Sequence, residues 1–321
     1  MAGPGDSAPG PALAELPGQP WATPPEVKIV ERPGGVRLRT ARFPAASGVT
    51  IRGSVVLSPG RTEPLEKYAE VIGELAGRGF VVLAHDWRGQ GGSTRLAGDP
   101  LNGHARGFRD FLNDYRAVID SWAPELPGPW IALGHSMGGG LTTLALAEGQ
   151  AGFAAAVLSA PMLGIDTGQR SKTEVGWGAF LMGLIGRGAA LPLPQQDPLN
   201  DTFEKQVLTH DRPRFERTQA LLKAHPELRL GSPTWGWIAF ALALTRRMAQ
   251  PGAAERIAIP FAVVGAGDDR LCVSAAARAV AERAPHSRYV EVEGAYHEVL
   301  METNARRAVF WRVFDETVAG L

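Results

Sequence analysis

Two hydrophobic periods take turns along this chain. Val36–Phe43 and Val49–Leu57 alternate apolar and polar positions and carry β-branched residues, which predicts two strands. Further on, short runs are apolar almost throughout: FVVLAH (Phe80–His85), WIALG (Trp130–Gly134), AAVLSAP (Ala155–Pro161) and FAVVGAG (Phe261–Gly267). Each is bounded by Gly or Pro, the signature of a strand covered on both faces. Arg288–Val292 reads as one more strand. Helical segments separate them: Leu65–Arg78, His104–Trp122, Met137–Glu148, Ala275–Arg283 and Asn304–Val318. The second sets Phe108, Phe111, Leu112, Tyr115, Val118 and Ile119 on one side. Strands alternating with helices predict an α/β protein with a mostly parallel sheet and helices on both faces.

That pattern stops between about Gly164 and Gly252. This stretch has no convincing strand, holds Pro192, Pro194 and Pro198, and carries apolar helical segments rich in Trp and Phe. A non-strand block of this length between two strands is expected to be a helical cap inserted into the sheet. The predicted organisation is therefore a core at 26–163, a cap or lid at 164–252 and the second part of the core at 253–321. Residues 1–25, rich in Pro, Gly and Ala, are expected to be a flexible leader or a segment draped over the surface. They lack the basic and apolar regions of a signal peptide. No apolar run reaches a membrane-spanning length, the longest being Trp235–Leu244. The expectation is a cytoplasmic protein, with peripheral membrane contact through the cap left open.

Composition narrows the chemistry. The 321 residues hold 33 basic and 33 acidic side chains, so no basic excess favours nucleic acid. Only five of the basic residues are lysines, which reads as codon bias before function. The single cysteine, Cys272, excludes an internal disulfide and a thiolate zinc cluster. No phosphate-binding loop, dinucleotide fingerprint or His-Glu-x-x-His occurs, and neither cofactor nor metal is expected.

One motif stands out: Gly134-His135-Ser136-Met137-Gly138, a G-x-S-x-G between a predicted strand and a predicted helix. A sharp turn there projects the Ser136 hydroxyl alone, and glycines two before and two after remove the collisions such a turn creates. A serine hydroxyl needs a base, and the base needs a carboxylate to orient it. Asp268 and Asp269 end the strand at 261–267, and both stay open as the acid on the residues alone. Of the seven histidines only His286 and His297 follow them. His286 reads as a surface residue at a helix end, whereas His297 follows a strand end, where a base belongs. The oxyanion hole needs two backbone N–H donors. Met137 supplies one at the start of a helix. SPGRTE offers the other, with Arg61 preferred because Pro59 has no N–H; the competing reading of SPGRTE is an ordinary turn. Asp86 and Arg88 in HDWRGQGGS are expected to fix that loop by hydrogen bonds. Trp177, Phe180, Trp235, Trp237 and Phe240 are candidates to line an acyl site, or else form the cap's own core.

Taken together, PGRTE…EKY, HDWRGQGGS, GHSMGGG, SAPML, GDDRL and GAYHEVLME resemble the bacterial lysophospholipase and monoacylglycerol lipase group of α/β-hydrolases, from about residue 50 to the C-terminus except within the cap. The resemblance implies the α/β-hydrolase fold and a serine carboxylester hydrolase for lipid-like monoacyl substrates. It assigns Ser136 as nucleophile, Asp269 as acid and His297 as base, and supports Arg61 as oxyanion donor. Two departures stand out: Pro59-Gly60 replaces the usual His-Gly, and the usual single acid is a pair. Competing readings are an acyltransferase or peptidase on the same scaffold and a catalytically silent binding module.

Overall fold

A computed structural model describes residues 13–16 and 20–321. Eight strands form one sheet: β1 (Glu26–Arg32), β2 (Val36–Phe43), β3 (Gly53–Ser58), β4 (Phe80–His85), β5 (Trp130–His135), β6 (Phe153–Ser159), β7 (Phe261–Ala266) and β8 (Ser287–Val292). Their spatial order is β1-β2-β4-β3-β5-β6-β7-β8. β1 and β2 pair antiparallel, as do β2 and β4, while every pair from β4 to β8 is parallel. The helices are α1 (Ala69–Gly77), α2 (Phe108–Trp122), α3 (Ser136–Ala147), α4 (Lys172–Leu184), α5 (Arg212–Ala224), α6 (Trp235–Ala249), α7 (Ser274–Ala281) and α8 (Asn304–Val318).

The sheet is covered on both faces, which explains the unbroken apolar runs. Alternate residues of each central strand feed two separate cores. Val55, Leu57, Ile131, Leu133 and Val157 join α1 and α8 in one, with Phe310 and Phe314. Val56, Ala132, Ala156 and Leu158 join α2, α3, α6 and α7 in the other. Strand polarity then brings the carboxyl ends of β3, β5, β7 and β8 to a common edge, and the loops that follow them carry the chemistry.

Several expected boundaries shift for visible reasons. β1 is an additional strand, hidden in the sequence because its charged residues interrupt the apolar ones at a sheet edge. β3 starts at Gly53 because Val49 and Ile51 stand exposed in the preceding turn. The helix expected from Leu65 is a 3-10 turn over Leu65–Tyr68 continued by α1, and α2 begins at Phe108, after Gly107 with φ 133°.

Between β6 and β7 the described chain is helical and irregular, apart from isolated bridges joining Ile165 to Cys272 and Pro233 to Gly103. α4 opens with a capping box formed by Ser171 and Glu174. α6 opens on the Thr234 side chain, which accepts the Trp237 N–H. These helices differ in burial. α6 sinks Phe240, Leu244 and Met248 into the core beside α2 and α3, whereas α4 buries only Ala179. Residues 1–12 and 17–19 of the expected leader lie outside the described residues. Its described part lies against the protein as a draped segment does: Leu16 is buried with Leu221, Leu222 and Leu228, and the Trp21 ring lies 4.9 Å from Phe43. No described helix is long and apolar enough to cross a membrane.

Candidate active site

Ser136 sits where β5 gives way to α3, with φ 49°, in the left-handed region that side chains normally avoid. Neighbouring glycines make the turn possible. A Cβ on Gly138 would stand 2.2 Å from the Ser58 carbonyl oxygen and 2.3 Å from that of Pro59. One on Gly134 would stand 2.8 Å from the Gly139 Cα. α3 is thereby pressed against the end of β3, bringing the loop after β3 beside Ser136.

The loops after β7 and β8 supply the partners. Ser136 Oγ lies 2.8 Å from His297 Nε2, and His297 Nδ1 lies 2.8 Å from Asp269 Oδ2. The other carboxylate oxygen of Asp269 accepts the N–H groups of Leu271 and Cys272 at 2.9 and 2.8 Å. Burial acts to raise the Asp269 pKa, but His297 and these two N–H groups outweigh it and hold the carboxyl below its usual value. Asp268 is exposed, and its backbone N–H donates to Ala295 O at 2.9 Å, tying the acid loop to the base loop. Of the two acids, only Asp269 faces His297. His286 immediately precedes β8, at the opposite end of that strand from the loop of His297, and its carbonyl accepts the Phe261 N–H.

The loop after β3 is held from three sides. Trp87 Nε1 donates to Pro59 O at 2.9 Å, and Gln90 Nε2 donates to Gly60 O at 2.7 Å. Glu63 Oε2 accepts the Gly60 N–H at 2.6 Å and the Tyr68 hydroxyl at 2.5 Å. With the Gly60 N–H taken and Pro59 lacking one, the Arg61 N–H is the next donor along this loop. Asp86 and Arg88 do fix their segment, but through separate partners. Asp86 accepts from Arg39, Leu65 N and Gly92 N, while Arg88 pairs with Asp110 and Asp114 on α2.

Beneath this loop lies a buried ionic group that sequence reasoning did not single out. Lys67 Nζ donates to Glu63 Oε1 at 2.8 Å and to Glu298 Oε1 at 2.5 Å. One ammonium cannot fully compensate two buried carboxylates, and the two respond oppositely. Burial acts to raise both; Lys67 holds Glu63 down at about 2, whereas Glu298 stays raised. Burial lowers His135 to about 4, so it is a neutral ring 3.8 Å from Glu63 at neutral pH. The Glu63-x-x-x-Lys67 spacing and the placement of Glu298 directly after His297 were the available signals.

Ser136, His297 and Arg61 open onto a cavity of about 770 Å³, walled by Met162, Ile165, Val175, Leu193, Leu208, Trp235 and Trp237 among others. Of the aromatic candidates, the structure brings Trp235 and Trp237 to this wall. Phe240 is instead a core residue, 1% exposed, its ring tilted against that of Phe111 with centroids 4.8 Å apart. Trp177 and Phe180 point outward, 61% and 58% exposed on α4. The helical period located an apolar face in each case, but not the neighbour that covers it. Cys272 also lines the cavity, with its sulfur, Asp269 and His297 offering ligand atoms within 4.8 Å of one another. The carboxylate and imidazole are already committed to each other. Burial and the Asp269 charge keep the Cys272 thiol protonated.

Residues 50–304 match the model of the family described as serine aminopeptidase, S33. Lysophospholipase L2 of Escherichia coli K12 is 34% identical over 289 residues, covering 79% of this chain and 77% of its own length. The monoacylglycerol lipase of Mycolicibacterium smegmatis is 31% identical, covering 78% and 83%. A soluble variant of the Saccharomyces cerevisiae monoglyceride lipase, solved with a substrate analog, superposes with a TM-score of 0.72 at 16% identity, over 93% of this chain and 97% of that one. This last likeness bears on the fold, which is that of the α/β-hydrolases.

Proposed function

The chain belongs to this S33 family of serine hydrolases, and we propose that it cleaves carboxylic esters of monoacyl lipids through an acyl-serine intermediate. The observation that carries the reading is the linked geometry of Ser136, His297 and Asp269, each contact 2.8 Å, at the floor of a largely apolar cavity. Relatives named lysophospholipase and monoacylglycerol lipase, matched over most of their length, favour esters over the peptides of the family's description.

In the proposed reaction His297 Nε2 takes the proton from Ser136 Oγ as that oxygen attacks the ester carbonyl. Asp269 keeps Nδ1 protonated and stabilises the imidazolium. The oxyanion accepts N–H groups from Met137, at the positive end of α3, and from Arg61. His297 then protonates the leaving alcohol, and water hydrolyses the acyl-serine with the same histidine as base. The acyl chain would lie along Trp235 and Trp237. Trp177, Phe180, Leu181, Leu184 and Ile185, all more than half exposed on or just after α4, favour contact between this helix and a lipid surface.

A panel of long-chain monoacylglycerol, lysophosphatidylcholine, diacyl lipid, short p-nitrophenyl ester and aminoacyl anilide tests the reading. Turnover of the monoacyl esters with release of free fatty acid is expected. Cleavage of the anilide alone would mark a peptidase, transfer to added alcohol in place of hydrolysis an acyltransferase, and no turnover a binding module.

A further inference from the structure

Among the residues that wall the cavity, Arg61 is out of place. Buried or half-buried arginines elsewhere are mostly matched by carboxylates: Arg39 by Glu66 and Asp86, Arg214 by Glu70 and Asp211, Arg307 by Glu70 and Glu74. Arg95 has none, but spends its guanidinium on the carbonyls of Gly89, Gly91 and Glu227. Arg61 makes no ion pair among the described residues. Of its five N–H donors one is used, Nη2 donating to the Gly231 carbonyl. Its Nε is sealed from solvent and bonded to nothing. The group is nevertheless held in place: Cζ lies 5.1 Å over the Trp237 ring, and only glycine at 103 leaves room, since a Cβ there would stand 2.7 Å from Nη2. Burial lowers its pKa to about 10, which leaves it charged at neutral pH. A fixed, desolvated and unmatched guanidinium is costly unless an anion completes it.

The cavity does not supply that anion itself. Glu63 and Glu298 share Lys67, and Asp166 at the rim accepts the N–H of Gly168. Position supplies the rest. The Arg61 backbone belongs to the loop beside Ser136, while its side chain reaches toward the Gly231–Trp237 wall. Ser136 and Arg61 thus line one cavity, in which an ester seated at Ser136 and a phosphate joined to it through glycerol would both be held. We propose that the Arg61 guanidinium receives the phosphate of a lysophospholipid headgroup, so that the cavity prefers monoacyl glycerophospholipids to neutral monoacylglycerols. This rests on the reading of Ser136 as the nucleophile of an ester hydrolase. Arg61 would then act twice, through its N–H on the oxyanion and through its guanidinium on the phosphate, with the planar fork suited to two phosphate oxygens at once.

The experiment compares kcat/KM for 1-palmitoyl-lysophosphatidylcholine and 1-palmitoylglycerol, in the same detergent micelles, for wild type, Arg61→Gln and Arg61→Lys. Both variants keep the backbone N–H, so the ratio between substrates isolates the side chain. Wild type should favour the phospholipid. Arg61→Gln should lower the ratio about tenfold or more, and Arg61→Lys by less, because it keeps the charge. A ratio unmoved in both variants, with both substrates slowed equally, would show a structural clamp on Gly231 and overturn the proposal. Inhibition of the wild type supplies a test independent of variant folding. Dodecylphosphocholine should compete with the neutral ester at least tenfold more strongly than dodecylglycerol ether, and inorganic phosphate only weakly. Equal competition by the two amphiphiles, or phosphate matching dodecylphosphocholine, would overturn it. If wild type hydrolyses both esters and only the ratio test fails, the ester hydrolase reading stands and this one falls; if it hydrolyses neither, both fall.

Discussion

Glu63 and Gly60 are joined by a hydrogen bond of 2.6 Å from the Gly60 N–H to Glu63 Oε2, which folds the loop after β3 back on its own carboxylate. The carboxylate is in turn held by Tyr68 and Lys67, and Lys67 reaches Glu298 beside the base. The loop after β3 and the loop of His297 are thus moored to one buried ammonium.

Glu63→Gln tests that mooring. The amide keeps the size of the side chain but removes the charge that faces Lys67 and weakens acceptance from Gly60. Turnover should fall about tenfold or more with a smaller change in KM, as expected for a donor misplaced in the transition state. A carboxyl held at about 2, against 4.5 unfolded, contributes roughly 3 kcal/mol above pH 4.5, lost as pH falls toward 2. Denaturant melts should therefore show the variant weaker at pH 7 and converging on wild type near pH 2. An unchanged kcat would remove Glu63 from the positioning of this loop.

Asp269 and Asp268 separate cleanly. Asp269→Asn should reduce turnover by about 10⁴-fold, through loss of the imidazole orientation and of the charge that stabilises it. Asp268→Asn should stay within a few fold, because its side chain is exposed and its link to Ala295 is made by the backbone. Kinetics on both variants decide the point, and a dead Asp268→Asn with an active Asp269→Asn would reverse the assignment.

How much of this was readable without coordinates depended on whether one face of a local element carried the information. Phe80–His85 and Asn304–Val318 were bounded correctly because an apolar run or period ends at a Gly or at a polar turn. The elbow was legible because the glycines at 134 and 138 answer a local steric demand. β1 was missed because an edge strand needs little apolar content on its outer side. Trp177 and Phe240 stayed open between an acyl-site wall and a packing core because a helical stripe reports that something covers it and stays silent on what: α6 turns Phe240 to the core, α4 turns Trp177 to solvent. The Glu63, Lys67 and Glu298 group joins residues 231 positions apart, beyond any local pattern.

The two cavity tryptophans and the two aromatics away from the cavity wall should respond differently. Trp235→Ala and Trp237→Ala should alter the ratio of rates on short and long acyl esters. Phe240→Ala should leave that ratio alone and cost about 3–5 kcal/mol of stability, as a large core truncation does. Trp177→Ala should do neither to esters in solution. Chain-length profiles and melting curves for the four variants test this; a shifted profile in Phe240→Ala alone would move the acyl site to the far side of α6.

His85 predicts an acid sensitivity away from the site. It is buried against Trp87, centroids 4.4 Å apart, with both ring nitrogens unbonded, and burial lowers its pKa to about 3. Between 6.5 and 3 the unfolded chain binds a proton that the folded chain refuses, so stability is lost as pH drops, by up to about 1.4 kcal/mol per unit. His135 adds a loss of the same sign between 6.5 and 4. His85→Phe should flatten the decline by one histidine's share, read from denaturant melts at pH 7, 6, 5 and 4. Parallel curves for variant and wild type would mean that His85 is protonated in the fold.

Covalent attack by Ser136 on the substrate is tested by intact-mass spectrometry with a fluorophosphonate. Wild type should gain one adduct, mapped to Ser136, as ester turnover disappears in step. Ser136→Ala should gain none and lose several orders of magnitude of turnover while melting close to wild type, since it removes a single hydroxyl, bonded to His297. Stoichiometric labelling of Ser136→Ala, or ester turnover that survives the substitution, would contradict the account.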